Sequence, residues 1–149
     1  DSGYFRAKLA QEELIASAGV PWTLVRATQF FEFVAAIAGA ALVDGVARVT
    51  SASIQPIASA DVAAKVAEAA LAPPRSGIVE IAGPERLPMV ELVKRHFRGL
   101  GETYEVRTDD TAAYFGVVLG GPWLTPTGDA WLSQRRYDDW LTAQPKRVA

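Results

Sequence analysis

The sequence predicts an α/β fold, built from alternating strands and helices in one domain of ordinary size. Three observations predict it. Short β-prone runs alternate with segments of helical apolar spacing, an order that favours some parallel pairing. Turn signals punctuate the boundaries: Gly19 with Pro21, Asp44-Gly45, Pro73-Pro74, Ser76-Gly77 and Gly83-Pro84. The chain has 149 residues, 50% apolar and 21% charged. That length buries roughly two thirds of its unfolded surface, enough for a core without staples.

Residues 4–18 read as the first helix, because Leu9, Ala10, Leu14 and Ala18 recur at helical spacing and Gly19 with Pro21 stops the run. Residues 20–26 form a strand-length β-prone stretch. Residues 29–43 are alanine-rich and helical in pattern, closed by Asp44-Gly45. Residues 46–57 look extended, with Ala47, Val49, Ile54 and Ile57 interrupted by serines. Ser59 is placed as an N-cap and Asp61 in the first turn, where the helix dipole favours negative charge, with 62–72 following as helix. Pro73-Pro74 ends that helix, and Ser76-Gly77 turns the chain into a strand at 78–81. Pro88 suits the first position of the next helix, with Met89, Val93, Phe97 and Leu100 as its apolar stripe. Residues 104–107 read as a short strand. After breaks at Gly120-Gly121-Pro122 and Pro126, a last helix is expected at 128–142. These strands are too few for a complete doubly wound sheet.

Composition excludes several functions. Seventeen acids against fifteen bases give a net charge of −2, so the electrostatic footprint of a nucleic-acid binder is missing. Cysteine is absent and His96 is the single histidine, which removes thiolate nucleophiles and Cys-based metal sites and argues against a zinc site or a His-based triad. The longest apolar run, 33–43, is short of the about 20 residues a membrane helix needs. No targeting segment is visible, and a cytoplasmic location is expected. The chain opens at Asp1, already close to a helical pattern, and reads as a piece of something longer.

Tyr4 and Lys8 stand four residues apart and share a helix face, about 5–6 Å apart at Cβ. An ammonium so placed lowers a tyrosine's pKa from about 10 and makes the phenol a proton donor and acceptor near neutral pH. The same spacing also fits an ordinary helix in which Lys8 pairs with Glu12.

The surrounding residues add context. The Tyr4-x-x-x-Lys8 helix runs into Gly19-Val20-Pro21-Trp22-Thr23, then Arg26 and Gln29-Phe30. Gln55-Pro56-Ile57, Ser59-Ala60-Asp61-Val62-Ala63 and Glu80-Ile81-Ala82-Gly83-Pro84-Glu85 follow in order. This succession resembles the second half of the NmrA-like branch of the atypical short-chain dehydrogenase/reductases, up to about Leu100. The resemblance implies the C-terminal part of a Rossmann-type parallel sheet plus a helical substrate-binding region. In that frame 1–45 is the remainder of the sheet core, and 46–149 is the substrate-binding part with a C-terminal cap. It implies a part of an NAD(P)-dependent oxidoreductase acting on a small carbonyl, quinone or related substrate. Tyr4 and Lys8 would be catalytic, and Lys8, Ala27, Thr28, Gln29 and Phe30 would lie against NAD or NADP. The alternative within the resemblance is a non-catalytic nucleotide-sensing or partner-binding module; a truncated product without present function is a third reading.

Two departures qualify what carries over. The family's Gly-rich phosphate loop would precede Asp1, and the run from Gly116 to Gly120-Gly121 has neither its spacing nor its strand-to-helix context. Ala27 stands where many relatives carry proline. Weak or no dinucleotide binding is therefore expected of this chain alone. Its partners would be the missing N-terminal half or, through an exposed sheet edge, a second copy.

Other residues have plainer readings beside the functional ones. At least two of Phe30, Phe31 and Phe33 are expected in the core. Arg26 either has a structural role, anchoring the turn or pairing with an acid, or serves catalysis. His96 is expected at a solvated boundary. Trp123, Trp131, Tyr137 and Trp140 are expected to pack a C-terminal cap rather than wall a substrate pocket.

Overall fold

The structure is a computed structural model that describes residues 3–119, 121 and 123–145. Asp1, Gly120 and Pro122, which entered the sequence reading, lie outside the described residues. Helix α1 (Gly3–Ser17) leads into strand β1 (Thr23–Ala27), and a 3-10 turn (Phe31–Phe33) runs into α2 (Val34–Ala41). Then come β2 (Leu42–Val43), β3 (Val46–Val49), β4 (Ser53–Ile54), α3 (Ser59–Leu71) and β5 (Gly77–Ala82). The chain finishes with β6 (Leu87–Pro88), α4 (Met89–Gly99), β7 (Glu105–Thr108), β8 (Ala130–Leu132) and α5 (Tyr137–Thr142).

The fold is α/β, as expected, with a parallel three-stranded sheet in the order β1-β5-β8. A second sheet runs β2-β3-β7 and an antiparallel pair joins β4 to β6. Parallel pairing of β1 with β5 runs from Thr23↔Gly77 to Ala27↔Ile81. The Trp22 carbonyl, which accepts from the Ser76 amide at 2.7 Å, fixes where that ladder begins. Among the described residues β1 stands at the sheet's edge, and it is only half-buried along its length.

The hydrophobic core lies elsewhere, where α2, β3, α4 and α5 meet. Phe31, Val34, Ile37, Val49, Leu92 and Val93 are buried there. Among the residues whose burial is described, helix α1 contributes none to it: Leu9, Leu14 and Tyr4 are exposed, the last at 65%. No described helix is long and apolar enough to cross a membrane.

Two expected helices are shorter than the pattern suggested. At 29–43, the Ile57 amide binds the Gln29 carbonyl at 2.8 Å and the Phe31 amide binds the Ile57 carbonyl at 2.8 Å. Those backbone groups serve a bridge between Phe30 and Ile57 and are lost to a helix, which starts only at Val34. At 128–142, the amides of Thr127 and Gly128 donate to the Glu80 carboxylate, drawing the segment to the sheet edge. There 130–132 becomes β8, and helix resumes at Tyr137. Ala58, not Ser59, is the N-cap of α3; Ser59 is its first helical residue and donates both amide and hydroxyl to Glu32. Pro88 likewise caps α4 rather than opening it.

His96 corrects the boundary expectation. It is buried, with Nδ1 2.8 Å from the Tyr137 hydroxyl, and so joins α4 to α5. Leu100, expected on the buried stripe, is exposed instead. Burial holds the His96 pKa below its ordinary 6.5, against a smaller opposing pull from Glu102. A lowered folded pKa means full stabilisation above pH 6.5 and loss as pH falls through the folded value. The urea midpoint is therefore expected to fall between pH 7 and pH 5, a window above the ordinary carboxylate value of about 4.5. His96→Asn removes the titrating group and is expected to flatten that slope. An equal slope in the variant would place the effect on another group.

Candidate functional site

Three stretches that stood out in the sequence meet at the carboxyl ends of β1 and β5. The Thr28 amide donates to the Ile81 carbonyl at 3.1 Å, and its hydroxyl donates to the Gln55 carbonyl at 2.6 Å. Gln55 is buried and donates through Nε2 to the Gly83 carbonyl at 2.9 Å. Gly83 packs directly on the Pro56 backbone, an approach only glycine allows. Ala27, Thr28, Gln29 and Phe30 thus form a segment, not the turn expected, clasped by 55–57 on one side and 81–83 on the other. In open parallel sheets, this end of the strands is where ligands sit.

Gln29 sits at the centre. Its Oε1 is buried without a partner among the described residues. Its side chain hydrogen-bonds Tyr114, a buried residue on a turn that pairs Tyr114 with Val117. Burial pushes the Tyr114 phenol up to about 12, against the Gln29 bond, with a further upward push from Tyr4. Helix α1 is tied to this sheet by Glu12, which pairs with Arg26 of β1. Sequence reading missed Tyr114. Its only local signal is an aromatic pair before Gly116, and nothing in it points to Gln29.

Lys8 shares a face with Tyr4, as the spacing predicts, with its Nζ 5.8 Å from the Tyr4 ring centroid. It donates to Gln11 Oε1 at 3.1 Å and does not pair with Glu12. Glu12 belongs to Arg26, whose Nε lies 3.2 Å from its carboxylate. Arg26 also reaches Glu80 at 3.5 Å, so a single guanidinium ties α1 to two strands. Burial pushes the Glu80 carboxyl up, but the bonds from Thr127, Gly128 and Arg26 together outweigh it and hold the group below 4.5. Of the two roles open to Arg26, the anchor is the one observed.

The aromatic expectations divide. Only Phe31 of the three phenylalanines is buried in the core; Phe30 is half-buried and Phe33 exposed. Tyr137 and Trp140 pack on Phe31, with ring centroids 5.2 and 5.5 Å away. Trp131 lies under the Lys65 ammonium at 5.0 Å, and Trp123 is 69% exposed, so it packs no cap. Asp61 sits in the first turn of α3 as expected, and Arg135 pairs with it at 3.2 Å. Among the described residues no cluster of three or more His, Asp or Glu could hold a metal.

The edge thus holds a buried phenol and an unpaired amide oxygen beside a clasped segment, and Tyr4 and Lys8 share a face of the helix that Glu12 ties to β1. Such a set can exchange a proton, hold hydroxyl groups and accept one hydrogen bond. No protein-family profile matches the chain, and no curated protein matches it.

Proposed function

We propose that this chain is the nicotinamide-side and substrate-side part of an NAD(P)-dependent oxidoreductase acting on a small carbonyl, quinone or related apolar compound. The observation that carries the reading is the 27–30 segment held at the carboxyl ends of two parallel strands, with the helix that bears Tyr4 and Lys8 tied to β1 through Glu12 and Arg26. The NmrA-like resemblance supplies the chemistry.

A dinucleotide fits this edge at one end. The Lys8 ammonium suits ribose hydroxyls. A pyrophosphate needs a glycine-rich turn leading into a helix N-terminus, and among the described residues no strand enters a helix that way. When bound, a nicotinamide supplies or takes the hydride. Tyr4 exchanges the proton at the substrate oxygen. Lys8 orients ribose beside Tyr4. Thr28, its hydroxyl already given to Gln55, keeps the segment fixed, while half-buried Phe30 offers an apolar wall. The free edge of β1 and the exposed Leu9 and Leu14 of α1 are where a phosphate-binding half, or a second copy, would dock.

Two measurements test the reading. Calorimetric titration of the chain with NAD(H) and NADP(H) is expected to give dissociation constants of order 1 mM or weaker, since the phosphate contacts are missing. One-to-one binding near micromolar would reveal a phosphate site that this reading lacks. Supplied with a dinucleotide-binding half, the chain is expected to oxidise NADH or NADPH at the expense of a quinone or aldehyde. The exposure of Tyr4 favours a second reading, a non-catalytic nucleotide-sensing or partner-binding module. Saturable nucleotide or partner binding without turnover would return that one.

A further inference from the structure

We propose that the chain binds a small aromatic or branched aliphatic monocarboxylate in a cavity bordered by Tyr114, with Arg48 as the carboxylate's partner. The cavity has a volume of about 150 Å³ and is lined by Ile37 and Ala41 of α2, Val49 of β3, Met89 of α4 and Tyr114. Its lining is mostly apolar, with Arg48 and Thr50 as polar members, it opens to solvent, and its size suits one ring, since a cavity of about 150 Å³ accommodates benzene.

Arg48 stands at the lining with an exposed side chain. It makes no hydrogen bond and no ion pair among the described residues. The acids that feel its charge are Glu105 and Asp109, and both are engaged by other donors. Glu105 takes Arg107 through Nε at 2.6 Å and Nη2 at 2.9 Å. Asp109 takes the Thr111 amide at 3.0 Å and hydroxyl at 2.6 Å. The guanidinium fork of Arg48 is left for a planar anion, which it can bind through two parallel hydrogen bonds.

The wall opposite α2 is a tight turn. Tyr114 and Val117 exchange backbone hydrogen bonds of 2.8 and 3.1 Å. Between them Phe115 has φ +46° and Gly116 φ +82°. A phenylalanine in the left-handed region is strained, and strain of this kind gathers at ligand clamps. The Phe115 ring meets Tyr114 edge-on at 4.9 Å, which stiffens the wall. An apolar slot closed by a stiff aromatic turn and flanked by one unpaired cation selects a single ring or branched chain with one carboxylate. This binding requires no nucleotide and stands independently of the oxidoreductase reading.

The test is a titration of the chain with sodium benzoate, benzyl alcohol and benzylammonium, followed by protein NMR shifts. Benzoate is expected to saturate one site with a dissociation constant of order 1 mM. Arg48→Met keeps the side-chain stem and is expected to weaken benzoate by about tenfold or more. Ala41→Phe fills the slot and is expected to abolish binding; if that variant does not fold, Ala113→Phe on the exposed rim replaces it. Benzyl alcohol or benzylammonium binding as tightly as benzoate overturns the proposal. So does an unchanged benzoate affinity in Arg48→Met, or the absence of any saturable shift.

Discussion

Gly83→Ala is expected to destabilise the chain by about 3 kcal/mol or more, the upper end of what overpacking costs. The reason lies in the backbone rather than in a movable side chain. A Cβ at Gly83 would fall inside the van der Waals shell of the Pro56 carbonyl oxygen and crowd its carbonyl carbon and Ile57 Cα. Moving either strand end away would stretch the Gln55 to Gly83 bond and the ladder around Thr28 and Ile81. Gly39→Ala is the matched control. Gly39 lies inside α2 with open space where its Cβ would go, so alanine is expected to stabilise by about 0.5–1 kcal/mol through helix propensity. Urea unfolding of both variants against wild type reads the two signs. A Gly83→Ala midpoint equal to wild type would mean that 55–57 and 81–83 do not meet as described.

The elements legible in the sequence were those fixed by local pattern. β1, β5, α3 and α4 each combine local apolar patterning with Gly or Pro at the ends, the first helix is marked by its Gly19 and Pro21 stop, and each stands close to where the pattern placed it. What the sequence could not show was set by contacts between distant residues. β8 is three residues long and exists because Glu80 holds Thr127 and Gly128; no window of ten residues carries that information. The helix expected from 29 fails because its carbonyl at Gln29 is taken by Ile57. His96 was misplaced for the same cause, since its partner Tyr137 lies on another helix.

The candidate site divides in the same way. That Tyr4 and Lys8 share a face follows from four-residue spacing, and that 27–30 lies at a strand's carboxyl end follows from the β-prone run before it. Tyr114 was out of reach, because a tyrosine in a turn signals nothing until its hydroxyl is seen against Gln29. Glu12 shows the converse. The helical spacing pointed to Lys8, but Arg26 from β1 holds it.

Tyr4→Phe, in the chain completed by a dinucleotide-binding half, is expected to lower kcat by about 10²–10⁴, the range of a lost general acid or base. The site holds two phenols, and their surroundings separate them. Tyr114 is buried, with its pKa pushed up to about 12, so near neutral pH it keeps its proton. Tyr4 is 65% exposed, with the Lys8 ammonium 5.8 Å from its ring centroid, which leaves it the phenol open to a substrate. Removing a hydroxyl from so exposed a side chain is expected to leave the unfolding midpoint within about 0.5 kcal/mol of wild type. Lys8→Met is expected to raise the nucleotide KM and lower kcat together, because one ammonium serves both ribose and phenol. Tyr114→Phe is expected to cost less in kcat than Tyr4→Phe and to leave the basic limb of the pH profile in place. A kcat within about threefold of wild type in Tyr4→Phe would remove Tyr4 from the chemistry. A larger loss in Tyr114→Phe than in Tyr4→Phe would transfer the proton-exchanging role to the buried phenol.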